Sequence, residues 1–327
     1  MAEVRRRSER RVAIRGRATV RPGIDLRPRR RPRPGPRTIE SSAARLFGPA
    51  SITWRINRER LLIVGGARSL LMQIAHPLIA AGVAEHSGFR EDPLGRLRRT
   101  MEFMSVILFG TAAEARRAAD RLHVLHGAVR GVLRESVGDF CAGTRYRARD
   151  PELLFWVHAT LVDTSLLVFR RYVRELSAAE EEQYYQESKT IARLHRIPDS
   201  MIPRRARDFR DYMDRMLDSG PIAVGDTARE LAGHILAPAV PPLPALGIAI
   251  TGFISVGLLP EKLRTDFGLT WGRGRQYLLD ASEFASRTLL PLVPTGLRIA
   301  PAALATELGL EPASVHQHRR WMPKAET

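Results

Sequence analysis

The sequence predicts an all-α fold, one multi-helix bundle of about eight to ten helices. Three observations lead there. Helix-start signals recur: Asp92-Pro93 and Asp150-Pro151 each set a capping carboxylate before a proline, and Thr111…Glu114 and Ser177…Glu180 have capping-box spacing. Between these signals the apolar residues step by three or four. No segment shows convincing period-2 alternation, and the chain has no internal repeat.

Taken in order, residues 1–40 are rich in Arg, Pro and Gly and poor in large apolar side chains. They bury too little surface to offset ordering entropy, so a disordered tail is expected. Helical signals become regular from Arg55. The apolar run Leu61-Leu62-Ile63-Val64 leads into Gly65-Gly66. That pair lacks the Gly-x-Gly-x-x-Gly spacing of a dinucleotide turn and reads instead as close helix packing or a helix irregularity. His76-Pro77 marks a helix junction. The Asp92-Pro93 helix runs through Phe109 to a stop at Gly110. The next carries Ala115, Ala118, Leu122, Leu125 and Val129 on its apolar positions and ends near Gly131.

The helix after Asp150 is apolar on most sides, from Leu153 and Trp156 to Leu167 and Phe169. Such a helix belongs in the middle of a bundle. Ser177 opens a helix to about His195, and Pro198 and Pro203 mark a loop. Further helices fit 204–217, 227–236, 246–256, 260–267 and 273–292. No long linker divides residues 41–310, which form one expected domain, followed by a flexible tail over 311–327.

The net charge of +17 is unevenly spread. Residues 1–40 hold fourteen Arg against Glu3, Glu9, Asp25 and Glu40, a net +10, which leaves +7 on the rest. Only Lys189, Lys262 and Lys324 are lysines, an imbalance that fits biased coding as well as phosphate contacts. Nucleic acid is therefore not the expected partner, although the tail could touch RNA, DNA or an anionic membrane. The single cysteine, Cys141, excludes an internal disulfide, a cysteine-rich zinc site, a cysteine-bound Fe–S cluster and covalent c-type haem. The arginine pairs of the tail precede no apolar stretch, and residues 61–83 are interrupted by Arg68, Gln73, His76 and Pro77. A cytoplasmic location is the expectation.

Histidines dominate the candidate chemistry. His76, His86, His123, His126 and His158 fall on segments expected to be buried, with His195 and His234 farther on and His316 and His318 near the C-terminus. His123 and His126, at i and i+3, could chelate a metal, but neither His-Glu-x-x-His nor Glu-x-x-His occurs. A lone histidine on an apolar helix serves either as a satisfied packing residue or as an axial haem ligand. Arg96, Arg99 and Thr100 can share a helix face and present two guanidinium forks and a hydroxyl to an anionic group; the same pair also reads as a solvated face.

An ordered series of blocks completes the reading. Ala75-His76-Pro77-Leu78 leads to Gly82 and Glu85-His86-Ser87, then to Pro93, Gly95-Arg96, Arg99-Thr100 and Gly110-Thr111. His126-Gly127 and Arg130-Gly131 follow, then Tyr146, Asp150-Pro151-Glu152 and Trp156-Val157-His158-Ala159. Over about 55–300 the chain resembles the MpaB-type oxygenases, the family that includes the haem b-dependent rubber oxygenases. The resemblance implies a buried cofactor pocket between helices holding non-covalent haem b, and an oxidoreductase acting with dioxygen on an apolar, isoprenoid or lipid-like small molecule. It implies His126 as the proximal iron ligand, with His158 as second partner or alternative ligand. Arg96 and Thr100 fall on the family's Arg-x-x-x-Thr element, as cofactor-binding residues. Arg99 stands where the rubber oxygenases carry a distal lysine. Arginine stays protonated and cannot ligate iron, so Arg99 and Thr100 are expected instead to orient propionates or polarise bound oxygen. The distal glutamate of the rubber oxygenases has no clear counterpart, although Glu85 lies nearby. Cleavage of extracellular polyisoprene is therefore not the expectation. The rivals are a haem-binding or sensing protein without turnover and a nucleic-acid-binding helical protein that uses the basic tail.

Overall fold

The computed structural model describes residues 44–88, 92–238 and 242–310. The tails expected over 1–40 and 311–327, with His316 and His318, lie outside them.

Fourteen α-helices and one small hairpin make up the described fold, so the all-α expectation holds. Ten helices have nine residues or more. They are α2 (Gly66–Ile74), α3 (Pro77–His86), α4 (Pro93–Phe109), α5 (Ala112–Ala128), α6 (Pro151–Val168), α7 (Ala178–Leu194), α8 (Ala206–Asp218), α9 (Asp226–Leu236), α10 (Pro242–Leu258) and α12 (Arg273–Leu289). Between and around them lie the short α1 (Ile52–Asn57), α11 (Glu261–Asp266), α13 (Thr295–Arg298) and α14 (Pro301–Glu307).

The starts follow their local chemistry. Asp92 accepts from Gly95 N–H and Asp150 from Glu152 N–H, each before a proline at the first helical position. Thr111 with Glu114, and Ser177 with Glu180, close reciprocal capping boxes. Each cap satisfies amide donors that the first turn leaves unpaired, at about 1 kcal/mol apiece.

Helix α6 is the central rod. Its buried side chains include Leu153, Phe155, Trp156, Val162 and Val168, each worth roughly 1.5–3 kcal/mol against exposure. Together with the π-helical turn Phe169–Val173 that continues it, this is the one described helix long and apolar enough to cross a membrane, and 61% of its apolar window is buried in protein. It packs on α2 and α7, while α10 crosses α2. Trp156 Nε1 donates to the Met72 carbonyl at 3.0 Å. Buried Arg68 of α2 ties three helices together: Nε donates to the Leu258 carbonyl at 2.8 Å, and its two other nitrogens to Thr164 Oγ1 at 2.5 Å and Asp163 Oδ2 at 2.7 Å. Gly65 ends a 3₁₀ turn (Arg60–Gly65), and a Cβ there would meet Thr164 and Val168 of α6 at 2.6 and 2.7 Å. Gly65 is thus a close-packing device, whereas a Cβ at Gly66 would meet open space. After α2 the chain turns by 109° at His76-Pro77 into α3.

One expectation fails. The helix expected to reach Gly131 ends at Ala128, and β1 (Arg130–Val132) pairs antiparallel with β2 (Arg145–Arg147), Gly131 opposite Tyr146. Three-residue strands are too short to register as alternation. The hairpin is fixed by tertiary contacts instead: Tyr146 is buried, and its hydroxyl donates to Glu85 Oε2 of α3 at 2.5 Å. A Cβ on Gly131 would lie 2.5 Å from that hydroxyl.

Candidate functional site

Three histidines from three helices converge. His126 lies in the last turn of α5, His158 two turns into α6, and His195 caps the C-terminus of α7. The protonation of His158 is opposed by His195, and that of His195 by His126, so the imidazoles form one electrostatic chain. Aromatic rings flank it: Phe103 of α4 is 6.1 Å from His195 between ring centres, and Phe155 is 6.3 Å from His158.

Burial is the main cause of their weak basicity. It drives His158 down to about 3 and His195 to about 4, each helped by the neighbouring histidine. His126 is also lowered, first by burial, then by His123 and Arg149. All three imidazoles are neutral at pH 7, the form that ligates metals. No side-chain hydrogen bond joins any of them to another described residue. His158 is 7% exposed.

The helix ends beside His126 are fixed from outside the cluster. Arg149 Nε donates to the His123 carbonyl at 2.8 Å and its guanidinium lies against Gly127, where a Cβ would meet it at 2.3 Å. This places a cation on the open C-terminal carbonyls of α5, where the helix dipole favours it. Arg196, in the left-handed region at φ 62°, pairs with Asp120 of α5 at 3.0 Å and holds the end of α7 to α5.

Helix α4, packed on α5, carries the remaining candidates. Arg96 is half-buried, and burial followed by the charge of Arg99 lowers its pKa. Arg99 donates to Asp92 at 3.0 Å, an exposed pair at the start of α4. The Thr100 hydroxyl donates back to the Arg96 carbonyl at 3.0 Å. The bonds of Arg99 and Thr100 are thus local to α4. Leu97, Met101 and Leu125 stand 43%, 46% and 44% exposed on these two helices. Glu85 is engaged elsewhere, accepting from Tyr146 and Arg134 beside the hairpin.

Sequence reasoning missed His195, because nothing in its neighbourhood distinguishes a helix-capping histidine from a site residue. Among the described residues no group of three His, Cys, Asp or Glu side chains is arranged to hold a metal ion on its own, so the His123–His126 pair gains no further ligand. Two described clefts, of about 400 and 510 Å³, are lined by neither His126 nor His158.

Compared with known families, residues 53–290 match the model described as "ER-bound oxygenase mpaB/B'/Rubber oxygenase, catalytic domain". The chain belongs to this family. The match runs from α1 to the 3₁₀ turn after α12 and includes every histidine of the cluster. The chain is thus built on an MpaB/rubber oxygenase catalytic domain, whose substrates would be dioxygen and an oxidisable molecule. No curated protein matches the chain, and no solved structure does.

Proposed function

We propose that this chain is a haem b-dependent oxygenase acting on an apolar, isoprenoid or lipid-like substrate. The observation that carries the reading is the cluster of neutral, uncommitted imidazoles at His126, His158 and His195 in a chain of this family. Its chemistry fits haem better than a bare metal ion. Porphyrin fills four coordination positions, so the protein need supply one neutral imidazole rather than three or four ligands.

His126 is the proposed ligand and the one the family pattern favours. It sits on the last turn of α5, which Arg149 immobilises through the His123 carbonyl. His158, deeper on α6, and His195 would pack beside it and keep the site dry. Arg96, half-buried on α4, would bind a propionate. Haem when bound supplies the dioxygen chemistry. The chain's part is to hold it from one side, exclude water with Phe103 and Phe155, and offer apolar side chains such as Leu97 and Met101 to the substrate.

The test is the visible spectrum of protein made with haem precursor, alongside His126→Ala and His158→Ala. A Soret band lost only in His126→Ala supports the assignment. Loss only in His158→Ala keeps the haem and moves the ligand to α6. No Soret band in folded wild-type protein, even after haem is added back, sinks the reading. Oxygen-dependent loss of an added alkene separates turnover from binding alone.

A further inference from the structure

A second site lies at the opposite end of α6. The cleft of about 400 Å³ there is lined by Arg55, Arg58, Arg174 and Arg298, with Glu59 beneath them. Its apolar wall is Phe169, Val173 and Pro291. Phe169 is eleven residues beyond His158, about 16 Å along a helix. The cleft is thus separate from the histidines.

The charges around it are unevenly matched. Arg58 donates to Glu307 at 2.9 Å, Arg174 to both oxygens of Glu180 at 3.1 and 2.6 Å, and Arg298 to both oxygens of Glu59 at 2.7 and 2.9 Å. Three guanidiniums therefore each have a carboxylate. The Arg55 side chain makes no hydrogen bond or close ion pair among the described residues, although its charge also acts on Glu180, the carboxylate that Arg174 holds. The Nε atoms of both Arg55 and Arg58 are buried and unpartnered. A buried donor without an acceptor costs roughly 1–3 kcal/mol, and native structures seldom leave one without a reason.

The geometry of the wall has its own cause. The π-helical turn Phe169–Val173, closed by Arg174 N–H on the Phe169 carbonyl at 3.1 Å, sets Phe169 and Val173 on the cleft and Arg174 at its edge. Single π turns recur at functional sites because they re-aim side chains within a helix.

We propose that this cleft binds a small amphipathic carboxylate: a monoanionic head on Arg55 and Arg58, and a short hydrocarbon tail against Phe169, Val173 and Pro291. Four guanidiniums, Arg55, Arg58, Arg174 and Arg298, face three carboxylates, Glu307, Glu180 and Glu59, which leaves one positive charge in excess and calls for a single negative charge; a planar carboxylate suits the guanidinium fork. The volume is within the range of small-molecule sites and admits a chain of several carbons. This inference does not depend on the haem reading.

The experiment is calorimetric titration of the full chain with octanoate, octanol and inorganic phosphate, on wild type and Arg55→Gln. Octanoate should bind wild type, more tightly than octanol or phosphate, and at least tenfold more weakly to Arg55→Gln. Arg55 has no side-chain hydrogen bond to lose, so the variant should keep the wild-type circular dichroism. If it fails to fold, Val173→Phe, which keeps every arginine and narrows the cleft, should weaken octanoate tenfold. Absence of octanoate binding overturns the proposal. So does equal affinity in the folded variant, or octanol or phosphate binding as tightly. A Soret shift caused by octanoate and unchanged in Arg55→Gln would place the fatty acid at the histidines instead, and would also overturn it.

Discussion

The crossing of α2, α6 and α10 and the cluster where α5, α6 and α7 meet both contain buried polar side chains, but they use them differently. At the crossing every nitrogen of Arg68 that bonds has a named acceptor on another helix, and Ser255 donates to the Val64 carbonyl at 2.6 Å. At the cluster three imidazoles are desolvated without such bonds, beside helices with exposed Leu97, Met101 and Leu125. Polar groups that hold helices together are satisfied within the protein; under the proposed function, the imidazoles lack such bonds because they are kept for a ligand.

Substitutions should reproduce this contrast. The largest effect is expected at the crossing. Arg68→Met strands Asp163, Thr164 and the Leu258 carbonyl, and should cost about 3–5 kcal/mol in urea unfolding. A loss under about 1 kcal/mol would show that the network is dispensable. Next, Gly65→Ala forces a methyl into the stiff side chains of Thr164 and Val168 and should cost about 1–3 kcal/mol.

The histidines should be visible in the pH dependence of stability. His158 and His195 are neutral in the folded state well below the ordinary histidine pKa of 6.5, with values of about 3 and 4, and His76, buried beneath Phe140, sits at about 4. Between pH 6.5 and 4 the unfolded chain binds protons that the folded chain refuses, so stability falls as pH falls and levels off below the folded values. Each such histidine adds up to about 1.4 kcal/mol per pH unit to the slope. His158→Leu should therefore flatten the pH profile of the unfolding free energy by one proton. An unchanged slope would mean that His158 is not buried in its neutral form.

Smallest of all, Arg99→Ala removes an exposed pair with Asp92 and should change stability by less than about 0.5 kcal/mol. If it also leaves the Soret band and turnover unchanged, Arg99 has no distal role. A large fall in turnover with intact haem would return it to the site.

Much of this molecule follows from local chemistry. The caps at Asp92, Thr111, Asp150 and Ser177, the apolar α6 and the junction at His76-Pro77 depend on neighbours within a few residues, so the sequence announces them. The order of family blocks likewise picked out His126 and His158. Other features depend on distant partners. The β1–β2 hairpin exists because Tyr146 finds Glu85 across sixty residues, and the π turn after α6 leaves no mark in residue type. His195 joins His126 and His158 only because α7 packs on α6, and Arg55 and Arg298 share a cleft only when α13 folds onto the 3₁₀ turn Arg60–Gly65. The sequence by itself determined which segments are helices and which family they build. Tertiary structure alone decided which buried nitrogens are left without partners, because a hydrogen bond's satisfaction depends on residues that only packing brings together.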